Sequence, residues 1–206
     1  MSQRNKTPHS TASGDRRASN AIPERQILDA AYALLLGVGM RRMTMADIAR
    51  QAEVSRATLY RRWSNVGEVV GTLMTREWAV VAESAFDGAA PTARAQLVDG
   101  VVRVVAEIRM HPLLRKIIDL DPEFLLPYLL KRRGTSTDEQ LGLIEHVVRA
   151  GMEDSSIRAG DAPAFARSVL LSAWSFALTG PVVLDGDDLS GLDDQLRDLL
   201  DRYLAP

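Results

Sequence analysis

Residues 43–63 read MTMADIARQAEVSRATLYRRW, and the spacing of capping and apolar residues in this stretch decides the fold. Thr44 followed three positions later by Asp47 is a capping pair: a hydroxyl for a first-turn amide and a carboxylate that reaches back. Ile48, Ala49 and Ala52 then give a short helix one apolar face. Val54 reads as a buried punctuation residue, and Ser55 is a good N-cap for the next helix. Asn65, with Glu68 three positions on, opens another. Two short helices joined by a tight turn, with a helix before them, make a helix-turn-helix.

Seen down its axis, the second short helix separates its side chains by chemistry. With Arg56 at zero and about 100° per residue, Leu59 falls at about 300° and Trp63 at about 340°. These two form one apolar ridge. Ala57 at about 100° and Arg61 at about 140° face almost directly away from it. Arg56 and Tyr60 lie on one flank, Thr58 and Arg62 on the other. That face suits the major groove of a duplex. Ala57 permits close approach, Arg56 and Arg61 can reach guanine O6 and N7, and Tyr60, Thr58 and Arg62 can hold phosphates. The alternative for such a face is an arginine-rich surface that only meets water.

Outward from this stretch, charge is divided unevenly. Residues 1–70 hold eleven Lys/Arg against six Asp/Glu, whereas residues 71–206 hold fourteen against twenty-one. A basic end on an acidic body points to a polyanionic partner for the first third. The chain has no cysteine, which removes disulfide scaffolds, cysteine zinc sites and cysteine nucleophiles together. His9, His111 and His146 are far apart and show no metal-ligand spacing. No apolar run approaches the ~18 residues that span a bilayer, and the first residues carry no apolar leader, so a cytoplasmic protein without a membrane partner is expected.

Residues 1–21 are polar and basic, and a mobile tail is expected there. Arg4, Lys6, Arg16 and Arg17 could lie along DNA or serve only to solubilise. From Ile22 a 3- and 4-residue apolar rhythm begins and ends at Gly37-Val38-Gly39, which reads as a helix C-cap. Similar rhythm continues almost to the C-terminus, broken at Gly88–Pro91, His111-Pro112, Asp121-Pro122, Gly134–Thr137, Gly160–Pro163 and Gly180–Gly191. No alternating β-branched run intervenes. The fold class is all-α with about nine helices: a helix-turn-helix domain over residues 22–68 and a larger helical domain over 69–206.

The matching residues Ile27-Leu28, Ala30-Ala31, Leu34-Leu35, Gly39, Thr44, Asp47-Ile48-Ala49, Ala52, Val54-Ser55, Thr58-Leu59-Tyr60, Trp63 and Glu68 resemble the tetracycline-repressor (TetR) family of transcriptional regulators. The resemblance covers about a quarter of the chain. It implies a small DNA-binding domain, a larger α-helical domain that binds a small-molecule effector, and a homodimer on an inverted-repeat operator in double-stranded DNA. It further implies that Thr44, Ser55, Thr58 and Tyr60 contact phosphates and that Arg56, Ala57 and Arg61 face bases. Two positions depart from the pattern. Glu53 stands where glycine is usual in the turn, at a cost of about 1 kcal/mol if φ is positive. Val66 stands where a phosphate-binding lysine is usual, and Arg62 is the expected replacement.

The last two helical stretches, residues 163–180 and 189–204, carry apolar stripes: Phe165, Val169, Leu170, Ala173 and Trp174, then Leu192, Leu196, Leu199, Leu200 and Tyr203. Pattern alone leaves intramolecular core and dimer interface equally open; the resemblance favours the interface, in which Trp174 is not counted. An effector pocket is expected around residues 110–133, with Met110, His111, Phe124, Tyr128 and, from further on, Trp174 lining it, although plain core is the commoner role for each. No nucleophile elbow, paired acids or metal motif appears, so neither catalysis nor a cofactor is expected. The competing reading is a helical ligand-binding or protein-interaction module with a vestigial helix-turn-helix, supported by Glu53 and Val66.

Overall fold

The computed structural model describes residues 14–127, 135–184 and 189–206. Among them are ten α-helices and two 3₁₀ turns. The chain divides into two compact units at Val70/Gly71, the first net basic and the second net acidic. No described helix is long and apolar enough to cross a membrane.

The first unit contains α1 (Gly14–Val38), a 3₁₀ turn (Met40–Arg42), α2 (Met45–Gln51), α3 (Arg56–Tyr60) and the start of α4 (Val66–Phe86). Helix α1 begins eight residues before Ile22, so the end of the expected tail is helical. Its composition permits this, because residues 15–18, Asp-Arg-Arg-Ala, include good helix formers and an acidic residue at the N-terminal end. After Val38, Gly39 turns the chain at φ 78° and donates its amide to the Leu35 carbonyl at 3.0 Å, which ends the helix. Ile27, Ala31, Leu35, Ile48, Leu59 and Val69 are almost wholly buried. Helix α2 packs on both α1 and α3.

The second unit continues α4 and adds α5 (Ala93–Met110), α6 (Pro112–Leu120), a 3₁₀ turn (Pro122–Phe124) and α7 (Thr135–Glu153). It closes with α8 (Ala162–Leu178), the short α9 (Gly180–Val183) and α10 (Ser190–Leu204). Helices α5, α7, α8 and α10 share one core. The α7–α8 turn braces α5: Asp154 accepts the Ala93 amide at 2.9 Å and Ser156 the Arg94 amide at 3.1 Å. The amide of Ala93, followed by the Ser156 bonds, holds the Asp154 carboxyl below the usual carboxylate range. Arg158, in the same turn, ties α8 to α10, lying over the rings of Phe165 and Tyr203 and donating to the Tyr203 carbonyl.

The apolar stripes of α8 and α10 contribute largely to this core. Phe165, Val169, Leu170, Ala173, Leu196 and Leu200 are buried within the single chain. Tyr203 donates its hydroxyl to Ser168 and meets Phe165 edge-on, and Leu192 lies against Gly180. Of the expected interface residues, only Leu199 is strongly exposed, at 44%. A 3/4 rhythm says that one side of a helix is covered, not what covers it. Here α5 and α7 do the covering.

Candidate nucleic-acid interface

The helix-turn-helix forms through the local chemistry of its caps. The Thr44 hydroxyl accepts the Asp47 amide at 3.1 Å, and the Asp47 carboxylate accepts the Thr44 amide at 3.1 Å, a complete capping box. The same carboxylate takes the Thr44 hydroxyl at 2.6 Å and binds Arg50 at 2.6 Å. These bonds, the Thr44 side chain first, hold the Asp47 carboxyl below its ordinary range. Asn65 accepts the Glu68 amide at 3.0 Å, while Glu68 takes the Ser64 amide at 2.8 Å, so α4 is also capped as its sequence predicts.

The turn between α2 and α3 absorbs the missing glycine without losing its form. Glu53 sits at φ 52°. Its amide donates to the Arg50 carbonyl, and the Val54 amide reaches the Ala49 carbonyl at 3.0 Å. That pair of bonds is the Schellman closure, in which a left-handed residue satisfies the last carbonyls of a helix. Glu53 therefore carries local strain, but the geometry of the turn is intact.

Helix α3 separates its faces as its sequence implies. Leu59 is fully buried and Trp63 is 6% exposed, while Arg56, Ala57 and Arg61 lie on the surface and Tyr60 is 53% exposed. Ser55 caps the helix by accepting the Thr58 amide at 3.1 Å, and the two hydroxyls lie 2.8 Å apart. One hydroxyl proton suffices for that contact, so the other is available to a phosphate oxygen. At Thr44 the proton is already committed to Asp47. The structure also adds Arg41 and Arg42, exposed in the turn before α2, which no motif singled out.

Arg62 is placed differently from its expectation. Its guanidinium binds Glu24 of α1 at 2.5 Å, and its side chain is only 26% exposed. Thirty-eight residues separate the two, and no sequence pattern connects them.

The residues expected to line an effector pocket are distributed over several environments. Met110 is 57% exposed. His111 packs edge-on against Trp78 with ring centroids 5.2 Å apart, and its Nε2 lies 3.7 Å from Glu77. Burial pushes its imidazole below the ordinary value, with Glu77 opposing. Trp174 packs against the core of α5, α7, α8 and α10, Phe124 is half-buried in its 3₁₀ turn, and Tyr128 lies outside the described residues. Trp78 and Glu77 were not legible as partners of His111, because both sit within an ordinary amphipathic helix. Arg109 is similarly hidden in the sequence: it is nearly buried and pairs with Asp193 of α10.

Comparison with known proteins agrees with the geometry of the first unit. Residues 27–70 match the family described as bacterial regulatory proteins, tetR family. The HTH-type transcriptional regulator Rv2250c of Mycobacterium tuberculosis is 32% identical over 181 residues, covering 87% of this chain and 93% of that protein. YdeS of Bacillus subtilis, also an HTH-type regulator, is 48% identical over 46 residues, 22% of this chain and 23% of its own. Among solved structures, the TetR-family repressor QsdR of R. erythropolis superposes with a TM-score of 0.68 at 17% identity, over 89% of this chain and 95% of that one. The fatty acid degradation regulator FadR of Bacillus halodurans gives 0.61 at 18% identity, over 87% and 94%. The relatives are transcriptional regulators and not enzymes, and the chain belongs to the TetR family of HTH-type transcriptional regulators.

Proposed function

We propose that the protein is a homodimeric repressor that binds an inverted-repeat operator and is released from it by a small apolar or amphipathic effector. The observation that carries the reading is the exposed line of Arg56, Ala57 and Arg61 on a helix whose opposite ridge, Leu59 and Trp63, is anchored in the core. Arg56 and Arg61 read base edges and Ala57 lets the helix approach. Ser55, Thr58 and Tyr60 hold phosphates and fix the register. Thr44 does so only by releasing its proton from Asp47, and its larger contribution is to cap α2.

The second copy sits against the outer sides of α8 and α10. These helices run antiparallel, with Gly180 beside Leu192 at one end and Ser168 bonded to Tyr203 at the other. Leu171, 65% exposed, and Leu199, 44% exposed, therefore fall at similar heights on neighbouring helices. Two exposed apolar residues at similar heights on neighbouring helices fit a contact between copies. Repression as the mode of action draws support from QsdR, a repressor of the same fold. Action on chromosomal DNA implies a cytoplasmic protein.

Deleting the gene and measuring transcription at the promoters the protein occupies tests the repressor reading. Transcripts rise on deletion under this proposal; a fall would identify an activator instead.

A further inference from the structure

Arg62 lies just past the C-cap of α3, between the exposed Arg61 and the buried Trp63, and Tyr60 and Arg61 before it belong to the surface assigned to DNA. Its guanidinium is nevertheless held by the Glu24 carboxylate at 2.5 Å. The two side chains are 26% and 43% exposed, so water reaches the pair. An ion pair this open is weak and exchanges readily. A backbone phosphate offers Arg62 the same planar, charge-assisted recognition that Glu24 offers, with the added gain of released counterions. We propose that Glu24 acts as an internal stand-in for a DNA phosphate: it holds Arg62 in the free protein, gives it up on binding, and so lowers affinity for every sequence alike. The inference rests on the DNA-binding reading of α3 and makes Glu24 a residue that sets affinity without touching DNA.

The exchange differs from two simpler roles for the pair. As a permanent strut between α1 and the end of α3, it would leave DNA affinity unchanged once folding is accounted for. As a stray negative charge, Glu24 would repel DNA whether or not Arg62 were present. A double-mutant cycle separates the three.

The probe is a short, fluorescently labelled duplex of scrambled sequence, because a phosphate contact does not depend on bases. Anisotropy titrations of the full-length wild type, Glu24→Gln, Arg62→Ala and the double variant are run between roughly 50 and 200 mM salt. Glu24→Gln tightens binding by about two- to fivefold, the worth of an exposed pair. Arg62→Ala weakens binding and reduces the slope of log K against log salt by about 0.9, the loss of one phosphate contact. In the Arg62→Ala background, Glu24→Gln gives no gain. Equal gain in both backgrounds would leave only general repulsion, and no gain in either, with the wild type binding, would leave a strut; both overturn the exchange alone. Absence of binding by any of the four at the lowest salt would overturn the DNA-binding reading and the exchange with it. Circular dichroism checks that each variant folds, and Arg62→Gln replaces Arg62→Ala in the cycle if the alanine variant does not.

Discussion

Arg61 and Tyr60 are consecutive, both exposed, and assigned to different parts of a duplex. Under the proposed reading, Arg61 reads base edges and the Tyr60 hydroxyl holds a phosphate. Their loss therefore has different signatures. Arg61→Ala relaxes preference at one position of the half-site, at about 1–3 kcal/mol of discrimination, whereas Tyr60→Phe weakens all sequences by a similar factor. Binding to a panel of single-base operator variants measures both, and an unchanged preference in Arg61→Ala would remove that arginine from base readout. Glu53 makes a separate prediction about stability. At φ 52° it occupies backbone space that favours glycine. Glu53→Gly raises stability by roughly 0.5–1 kcal/mol, less than the full strain because glycine also gains freedom in the unfolded chain. Urea denaturation reads the change, and destabilisation would mean that the Glu53 side chain contributes more than its backbone costs.

At the scale of elements, what the sequence disclosed follows from the distance over which each interaction acts. The caps Thr44–Asp47, Ser55–Thr58 and Asn65–Glu68 lie within a single turn, and all three form as their spacing implies. The split of α3 into a buried ridge and an exposed face follows equally from 3.6-residue geometry. The Arg62–Glu24, Arg109–Asp193 and His111–Glu77 contacts join residues tens of positions apart, and periodicity has no means of pairing them. The stripes on α8 and α10 were legible as buried but not as to what buries them.

His111, between α5 and α6, gives this level its prediction. Its folded-state pKa lies below the ordinary value near 6.5 because burial disfavours the imidazolium more than Glu77 favours it. A depressed folded pKa contributes stability that is fully present above the unfolded value and is lost as pH falls through the folded one. The thermal midpoint therefore declines as pH drops below about 6.5, and His111→Gln flattens that part of the profile. Superimposable profiles for wild type and variant would show that His111 is not the group responsible.

For the whole molecule, the charge asymmetry and the structural division coincide: the basic portion of the sequence is the first unit and the acidic portion the second. Burial within one chain also narrows where a second copy can attach. Leu171 and Leu199 are exposed and lie outside the intramolecular core, so replacing both with glutamate leaves each subunit folded while placing four negative charges in the proposed contact. Light scattering then gives the mass of one chain for the double variant and of two for the wild type. A dimeric double variant would put the interface elsewhere. The central claim, that α3 of a paired molecule reads base sequence, is tested most directly by selection of retained duplexes from randomised DNA. The account predicts an enriched inverted repeat whose half-sites are separated by about 34 Å or a multiple of it. Folded, dimeric protein that enriches no sequence would contradict it.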